Sequence, residues 1–491
     1  MRYIYLGILI LSISVGKVYA QQSVIWEPVI SVADGSLFGN NRPRLSLTSG
    51  DNPVVLFSNT SNGEIYTARY NGAAFDSPLA LLPSGESSYH ANWTGPDIAA
   101  SGDDVVVVYK AQPYATAHVY TVKSNDGGIT FSDTIRADNH DIGQTWMPAI
   151  AMDDNGNPIV TYMIFDATGG DERIAVAKSL DGGTTYEPQV NTTAGSPGVA
   201  CDCCPPEVTA SGNYLAVMYR NNESNIRDGF TSLSLDSGAN FTSVANMDNL
   251  IWSIMSCPST GPHGAIVGDS IYYVSASKAS GEYRVYLSTA GLNSGINLAT
   301  INMMNPPTSL PSDSQNFPRI SASNDTIVTV WEERESGNSN IMISITTDGI
   351  GQTLSAYKSM VNPNLSGTQS KPDVIYSDGY VHVVYQDFST GDVMYRKGIV
   401  ADVTGIDDAQ FSQIKVYPNP ALKSIQITGV ALNKVISTRL LDASGKLYGC
   451  VIHQGDTSIT LDLSSLKSGG VYTIELQTEE GQVYRNRIVV I

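Results

Sequence analysis

The feature that most constrains the fold of this chain is a short element that returns at a steady interval: proline, any residue, then an apolar residue. It reads Pro43-Arg-Leu, Pro96-Asp-Ile, Pro148-Ala-Ile, Pro206-Glu-Val, Pro318-Arg-Ile and Pro372-Asp-Val, and a looser copy, Pro262-His-Gly-Ala-Ile, fills the one gap. Successive prolines are 53, 52, 58, 56, 56 and 54 residues apart, so seven units cover most of the 491 residues. In each unit a polar turn follows (SGDNP, SGDD, DDNGNP, SGN, VGD, SND, SDG), then an apolar run such as Val105–Tyr109 or Ile327–Trp331, a polar loop, and a third strand such as Ile174–Ala177. Strand–turn–strand units of this period describe a β-propeller with four-stranded blades, whereas tandem β-sandwiches need about 100 residues per domain. The expectation is an all-β, seven-bladed propeller. With 44 glycines, 26 tyrosines and almost no helical periodicity, the composition agrees. The last unit ends near Val400 after three strands. Ser23–Ala33 (SVIWEPVISVA) reads as one extra strand that completes the seventh blade, so that no sheet edge is left open.

Both ends carry export signals. Arg2, an apolar run from Ile4 to Val15 and Val18-Tyr-Ala20 read as a signal peptide over residues 1–20, with cleavage after Ala20. No later segment is long and apolar enough to span a bilayer. The net charge of −19 and pI near 4.6 argue against nucleic acid and anionic membrane surfaces as partners. After the propeller (21–400) and a linker (401–410), residues 411–491 carry Val416-Tyr-Pro-Asn-Pro420, Leu441-Asp-Ala-Ser-Gly445 and Gly470-Val-Tyr472. In order and terminal position this small β-sandwich resembles the C-terminal sorting domain of the Bacteroidetes type IX secretion system. The resemblance implies passage through that machinery to the cell surface or medium.

Three units share a sharper signature: Ser124-Asn-Asp-Gly-Gly-Ile-Thr-Phe131, Ser179-Leu-Asp-Gly-Gly-Thr-Thr-Tyr186 and Ser234-Leu-Asp-Ser-Gly-Ala-Asn-Phe241. It resembles the Asp-box, or BNR repeat, of sialidase-like propellers. Physically it is a self-contained turn: Asp126, Asp181 and Asp236 accept from backbone amides, glycines take positive φ, and the aromatic packs back between strands. The family implies glycan chemistry, with three arginines on a substrate carboxylate, a tyrosine nucleophile activated by a glutamate, and an aspartate acid/base. This chain departs from that pattern. Asn41-Arg42-Pro43-Arg44 lacks the family's R-I-P element, no tyrosine is singled out, and sialidase catalytic domains have six blades. A second likeness is closer. Cys201-Asp-Cys-Cys204, Tyr219-Arg220, Ile226-Arg-Asp228, Trp252-Ser-Ile254 and Cys257-Pro258 with Gly261-Pro262 are similar to a group of secreted bacterial BNR-repeat proteins, labelled sialidase-like by fold.

Propeller geometry places the loops before each first strand, and those between second and third strands, on one rim around the axis. The first set brings Arg42, Trp93, Trp146, the cysteines, Asn316 and Lys371. The second brings Lys110, Asp166, Arg220, Glu223, Arg227, Asp228, Lys278, Glu332, Glu333, Arg334, Gln386 and Asp387. Candidate catalytic residues are Arg220, Arg227, Asp228 and His263. Candidate glycan-binding residues are Arg42, Trp93, Trp146, Glu332, Arg319 and Asp387, by charge-assisted bonds and stacking. Three functions stay open: a sialidase-type hydrolase, a lyase that abstracts a proton beside a uronate carboxylate with His or Tyr, and a non-catalytic glycan-binding propeller. His118 and His140 read as surface residues, and His382 and His453 as structural. No cofactor is expected. In an exported protein Cys201, Cys203, Cys204 and Cys257 read as two disulfides of undetermined pairing, with a structural metal at the cluster as the alternative. Cys450 is left over.

Overall fold

The computed structural model describes residues 21–35, 39–113, 115–304, 314–335, 337–346, 358–364, 366–403, 414–429, 435–442, 447–448, 451–455, 458–464, 466, 469–478 and 483–491. The expected signal peptide, Cys450 and most of the expected linker lie outside them. Two compact units are formed, Gln22–Ala401 and a C-terminal one from Asp402.

Seven antiparallel sheets make up the first unit, one per sequence repeat. Their first strands are Asn40–Thr48, Asp97–Ser101, Thr145–Met152, Glu207–Ser211, His263–Val267, Ser314–Ser323 and Gln369–Ser377. Apolar runs such as Val105–Val108 show why these strands read as continuous rather than alternating. Successive side chains leave opposite faces of a strand, and here both faces are covered. Val105 and Val107 pack with Val54, Leu56 and Ile65 of blade 1, whereas Val106 and Val108 pack with Ile150, Val160 and Tyr162 of blade 3. Equivalent clusters fill the other five junctions, ending where Leu45, Val55 and Phe57 of blade 1 meet Val384, Val393 and Tyr395 of blade 7.

The seventh blade is closed by the N-terminal segment, with one difference from expectation. Instead of one strand there are two, Gln21–Trp26 and Ile30–Ala33, both paired with Asp392–Val403. The break falls at Pro28, which has no N–H to give the ladder and fixes its own φ.

The three Ser-x-Asp turns form the hydrogen-bond cages their sequences imply. Ser179 Oγ accepts from Gly183 N–H at 2.7 Å and donates to Asp181 at 2.8 Å. Asp181 in turn accepts from the Thr184 and Thr185 amides and from the Thr185 hydroxyl. These bonds hold the Asp181 carboxyl down near 2. Tyr186 reaches back to Thr121 of the preceding blade at 3.2 Å. Ser179→Ala strands a buried amide, so stability should fall by about 1–2 kcal/mol in urea unfolding, with ligand binding unchanged.

In the second unit two four-stranded sheets face each other. Ile425, Ile427, Ile459 and Leu461 of one pack on Leu440, Ile474, Leu476 and Ile488 of the other. This is a β-sandwich with an aligned apolar filling.

Candidate functional site

The repeating Pro-x-apolar element places its middle residue at the propeller axis. Those residues are Arg44, Asp97, Ala149, Glu207, His263, Arg319 and Asp373, so six polar side chains of mixed sign ring the axis. They knit neighbouring blades together. Asp373 accepts from Leu45 N–H at 2.9 Å, Asp97 from Ile150 N–H at 3.3 Å, and His263 Nδ1 from Ile320 N–H at 3.2 Å. Around and across the ring, Arg44 lies 3.8 Å from Asp97, and Arg319 lies 3.8 Å from Asp373 and is bonded directly to Glu207. Glu207 and Arg319 line both a funnel above the ring and a cavity of about 270 Å³ below it.

The funnel owes its character to four bulges. The first strands of blades 1, 3, 6 and 7 each shift register around the residue before the proline. That residue is Arg42, Met147, Phe317 or Lys371, with φ between 49° and 55°. A non-glycine residue rarely occupies this region; bulges of this kind re-aim side chains next to functional sites. Arg42, Phe317 and Lys371 thereby join Arg44, Arg319, Asn92 and Trp93 in the funnel wall. Arg42 donates to the Pro96 carbonyl at 2.9 Å, and the Lys371 ammonium sits 3.2 Å from the centroid of the Phe317 ring.

Four cations share the funnel: Arg42, Arg44 and Lys371 hold their protons less tightly than in water, whereas Glu207, Asp373 and Asp97 raise Arg319 above its ordinary value despite burial. Burial, followed by repulsion from Arg44 and Arg319, weakens the Arg42 guanidinium's hold on its proton. Burial and Arg319 bring Arg44 to about 10. Lys371 falls to about 8, mainly through burial, although Glu332 pulls it upward. Burial lifts Glu207 to about 7 against the pull of Arg319, and keeps the His263 imidazole neutral by holding it well below 6.5. An arrangement of this kind is suited to a bound anion, which relieves the repulsion and accepts charge-assisted bonds.

The sequence candidates divide into three groups. Arg42, Arg319 and Trp93 line the funnel. His263 lies 3.8 Å from Glu207 in the cavity below, and Glu332 supports Lys371 from behind. Trp146 stacks edge-on against Trp93 at 5.8 Å and so backs the wall. The others serve the scaffold. Arg220 is enclosed, donating to the carbonyls of Arg227 at 2.7 Å, Ala276 at 2.9 Å and Thr260 at 3.3 Å, under the Trp252 ring. Asp228 accepts from the Ile251 and Trp252 amides and from Asn246. Asp387 anchors its own turn through Ser389 N–H and Gln369.

The cysteines brace the funnel's edge. Cys203 is bonded to Cys257 across 54 residues, tying the loop before blade 4 to the loop before blade 5. Gly261 permits this closeness, since a Cβ there would stand 2.1 Å from the Pro205 carbonyl oxygen. Cys201 and Cys204 are buried thiols with their sulfurs 3.2 Å apart, so one of the two expected bridges is present. The Cys201 thiol is brought down to about 6, first by its hydrogen bond with Cys204 and then by Arg227, which donates to it at 3.0 Å. With Cys203 taken by Cys257, Cys201 and Cys204 are the free sulfurs of the cluster.

Arg44 and Glu207 are not marked by the sequence as site residues, and Lys371 is marked only as a rim residue. The signal for Arg44 and Glu207 was the variable position of the repeat itself.

Fold and site thus define a seven-bladed β-propeller with a cation-lined axial funnel. Residues 415–491 match the family described as the secretion system C-terminal sorting domain. The chain is therefore exported through the type IX secretion system to the cell surface or the extracellular space. Among the described residues no helix is long and apolar enough to cross a membrane. No curated protein matches the chain in sequence. Among solved structures it is similar to a Trypanosoma rangeli sialidase in complex with 2,3-difluorosialic acid (10% identity, 94% of this chain and 88% of that one, TM-score 0.45). It is also similar to a protein of unknown function from Dyadobacter fermentans (11%, 77% and 99%, TM-score 0.44) and to a Penicillium chrysogenum α-L-arabinanase (11%, 78% and 100%, TM-score 0.42).

Proposed function

We propose that the protein is an exported glycan-directed propeller whose ligand is a carboxylated sugar, with its carboxylate in the axial funnel, a space of about 40 Å³, and its ring at the mouth. The observation that carries this reading is the convergence of Arg42, Arg44, Arg319 and Lys371 on one small opening with Trp93 on its wall. Three guanidiniums and an ammonium around a concave site match a carboxylate, and the indole offers a face to the sugar ring. Binding is favoured over hydrolysis of sialidase type because no tyrosine lines the funnel among the described residues, and Glu207 is its one carboxylate there.

A bond-breaking step is the second reading, carried by Glu207. A carboxyl held near 7 at the floor of the funnel has the protonation a general acid needs at neutral pH. The test is titration calorimetry with N-acetylneuraminic acid glycosides and with glucuronate and galacturonate oligosaccharides, alongside assays for released sialic acid and for unsaturated uronate. Binding without product supports a lectin-like role, and product of either kind assigns the enzyme. No binding to any acidic glycan sinks the proposal. Lys371→Ala should weaken binding at least tenfold. Affinity should decline as pH rises, first as Glu207 ionises near 7 and then as Lys371 discharges near 8, and the variant should lose the second step alone.

A further inference from the structure

Beside the funnel, between blades 7 and 1, lies a cleft of about 260 Å³ whose chemistry is of another kind. It is built from the start of the first strand of blade 1 and the turn after the second strand of blade 7. Among the described residues no charged side chain lines it. Asn40, Asn41, Asn92 and Gln386 contribute amides, and Phe388 an aromatic ring that is 60% exposed. The amides are set rather than loose: Gln386 donates to the Asn40 carbonyl at 2.7 Å, Asn41 donates to Asn92 at 3.1 Å, and Asn59 donates to Asn40 at 3.1 Å. Yet the acceptor oxygens of Asn41 and Gln386, residues 3% and 4% exposed, receive no hydrogen bond from the protein. A buried acceptor without a donor is costly, and both residues belong to the wall of this cleft.

We infer that this cleft is a binding site for a neutral sugar, the residue next to the acidic one in the same oligosaccharide. The inference rests on the reading of the funnel given above. Asn92 lines both the funnel and the cleft, so the two sites adjoin. Neutral sugars present hydroxyls that donate to amide oxygens, and an apolar C–H face that packs on an aromatic ring. The volume lies just below the roughly 300–1,000 Å³ of drug-sized sites and suits a single ring. The ligand class is therefore an oligosaccharide with a carboxylated sugar followed by a neutral hexose or pentose.

Saturation-transfer NMR on the full exported chain tests the cleft by itself, with the methyl glycosides of galactose, glucose, mannose and arabinose as probes. At least one should receive magnetisation. Phe388→Ala should weaken that binding at least tenfold, and Phe388→Trp should retain it; Phe388 is exposed, so both variants keep the fold. Calorimetry with 3′-sialyllactose and an aldobiouronic acid against the corresponding free acids gives the second arm. The disaccharide or trisaccharide should bind about tenfold more tightly, and Phe388→Ala should remove the advantage. Absence of transfer to every neutral glycoside, or transfer indifferent to Phe388→Ala, overturns the cleft while leaving the funnel standing. Neutral binding with no acidic ligand bound overturns the funnel and, with it, the joined oligosaccharide.

Discussion

Replacing Arg319 by alanine should lower the stability of the propeller by about 3–5 kcal/mol at pH 7, the cost of breaking a buried pair from one side. Arg319 is buried, bonded to Glu207 of blade 4 and close to Asp373 of blade 7. Its removal leaves two carboxyl groups at the axis without that cation, and Asp373 is also committed to the Leu45 amide of blade 1. Arg319→Lys should recover little, because a single ammonium does not offer the fork that faces both acids. Adding Glu207→Gln to the alanine variant should recover part of the loss. Chemical denaturation of the three variants decides the matter; an unchanged midpoint for Arg319→Ala would remove the ring from any role in stability.

The same pair gives the pH dependence. The carboxyl of Glu207 titrates near 7 in the fold and near 4.5 in the open chain, so between these values the folded state holds the extra proton. Stability from this group is complete below about 4.5 and declines as pH rises to 7. His263 works in the opposite direction. Its folded value lies below 6.5, so its contribution is present above 6.5 and is lost as pH falls toward the folded value. Glu207→Gln should flatten the decline between pH 4.5 and 7 and leave the acid-side loss from His263 in place.

Cys203→Ser should cost about 4 kcal/mol, the chain-entropy value for a loop of 54 residues. Thermal unfolding under non-reducing conditions measures it. The loss should be felt at the funnel as well, because Pro205, Pro206, Gly261 and Pro262, which flank the bridge, form its wall. Affinity for acidic glycans should fall along with stability, whereas Ser179→Ala should lower stability alone. Non-reducing peptide mapping should find Cys203 joined to Cys257 and alkylatable thiols at Cys201 and Cys204 after unfolding. A link from Cys257 to either of the other two would overturn the bridge described here.

Much of this architecture was legible in the sequence because propeller blades are local. Each is a meander of neighbouring strands, so a proline at every first strand and a polar turn after it suffice to count seven. The strands that bury both faces, such as Val105–Val108, also declare themselves as unbroken apolar runs. The site was less legible because it is assembled from one residue per blade, and which residue faces the axis depends on the bulges at Arg42, Met147, Phe317 and Lys371. Arg220 and Asp228 show the converse difficulty. A charge in a rim loop reads as a ligand group, but main-chain amides and carbonyls in irregular loops also need partners, and these two side chains supply them. Arg44 and Glu207 were hidden in plain text, in a position of the repeat that varies because each blade there meets a different neighbour.

Closure by the N-terminal strands has a consequence for how the molecule is made. Ile30 pairs with Tyr395, so the first strands of the ring have no partner until nearly the whole propeller has left the ribosome. Contacts this remote in sequence make ring completion a late and slow event, and until then Asp392–Val403 presents a bare flank to any strand nearby. The same logic warns against trimming the strands Gln21–Trp26 and Ile30–Ala33. A version beginning after Ala33 keeps every residue of the funnel, yet it would be expected to stick to its own copies.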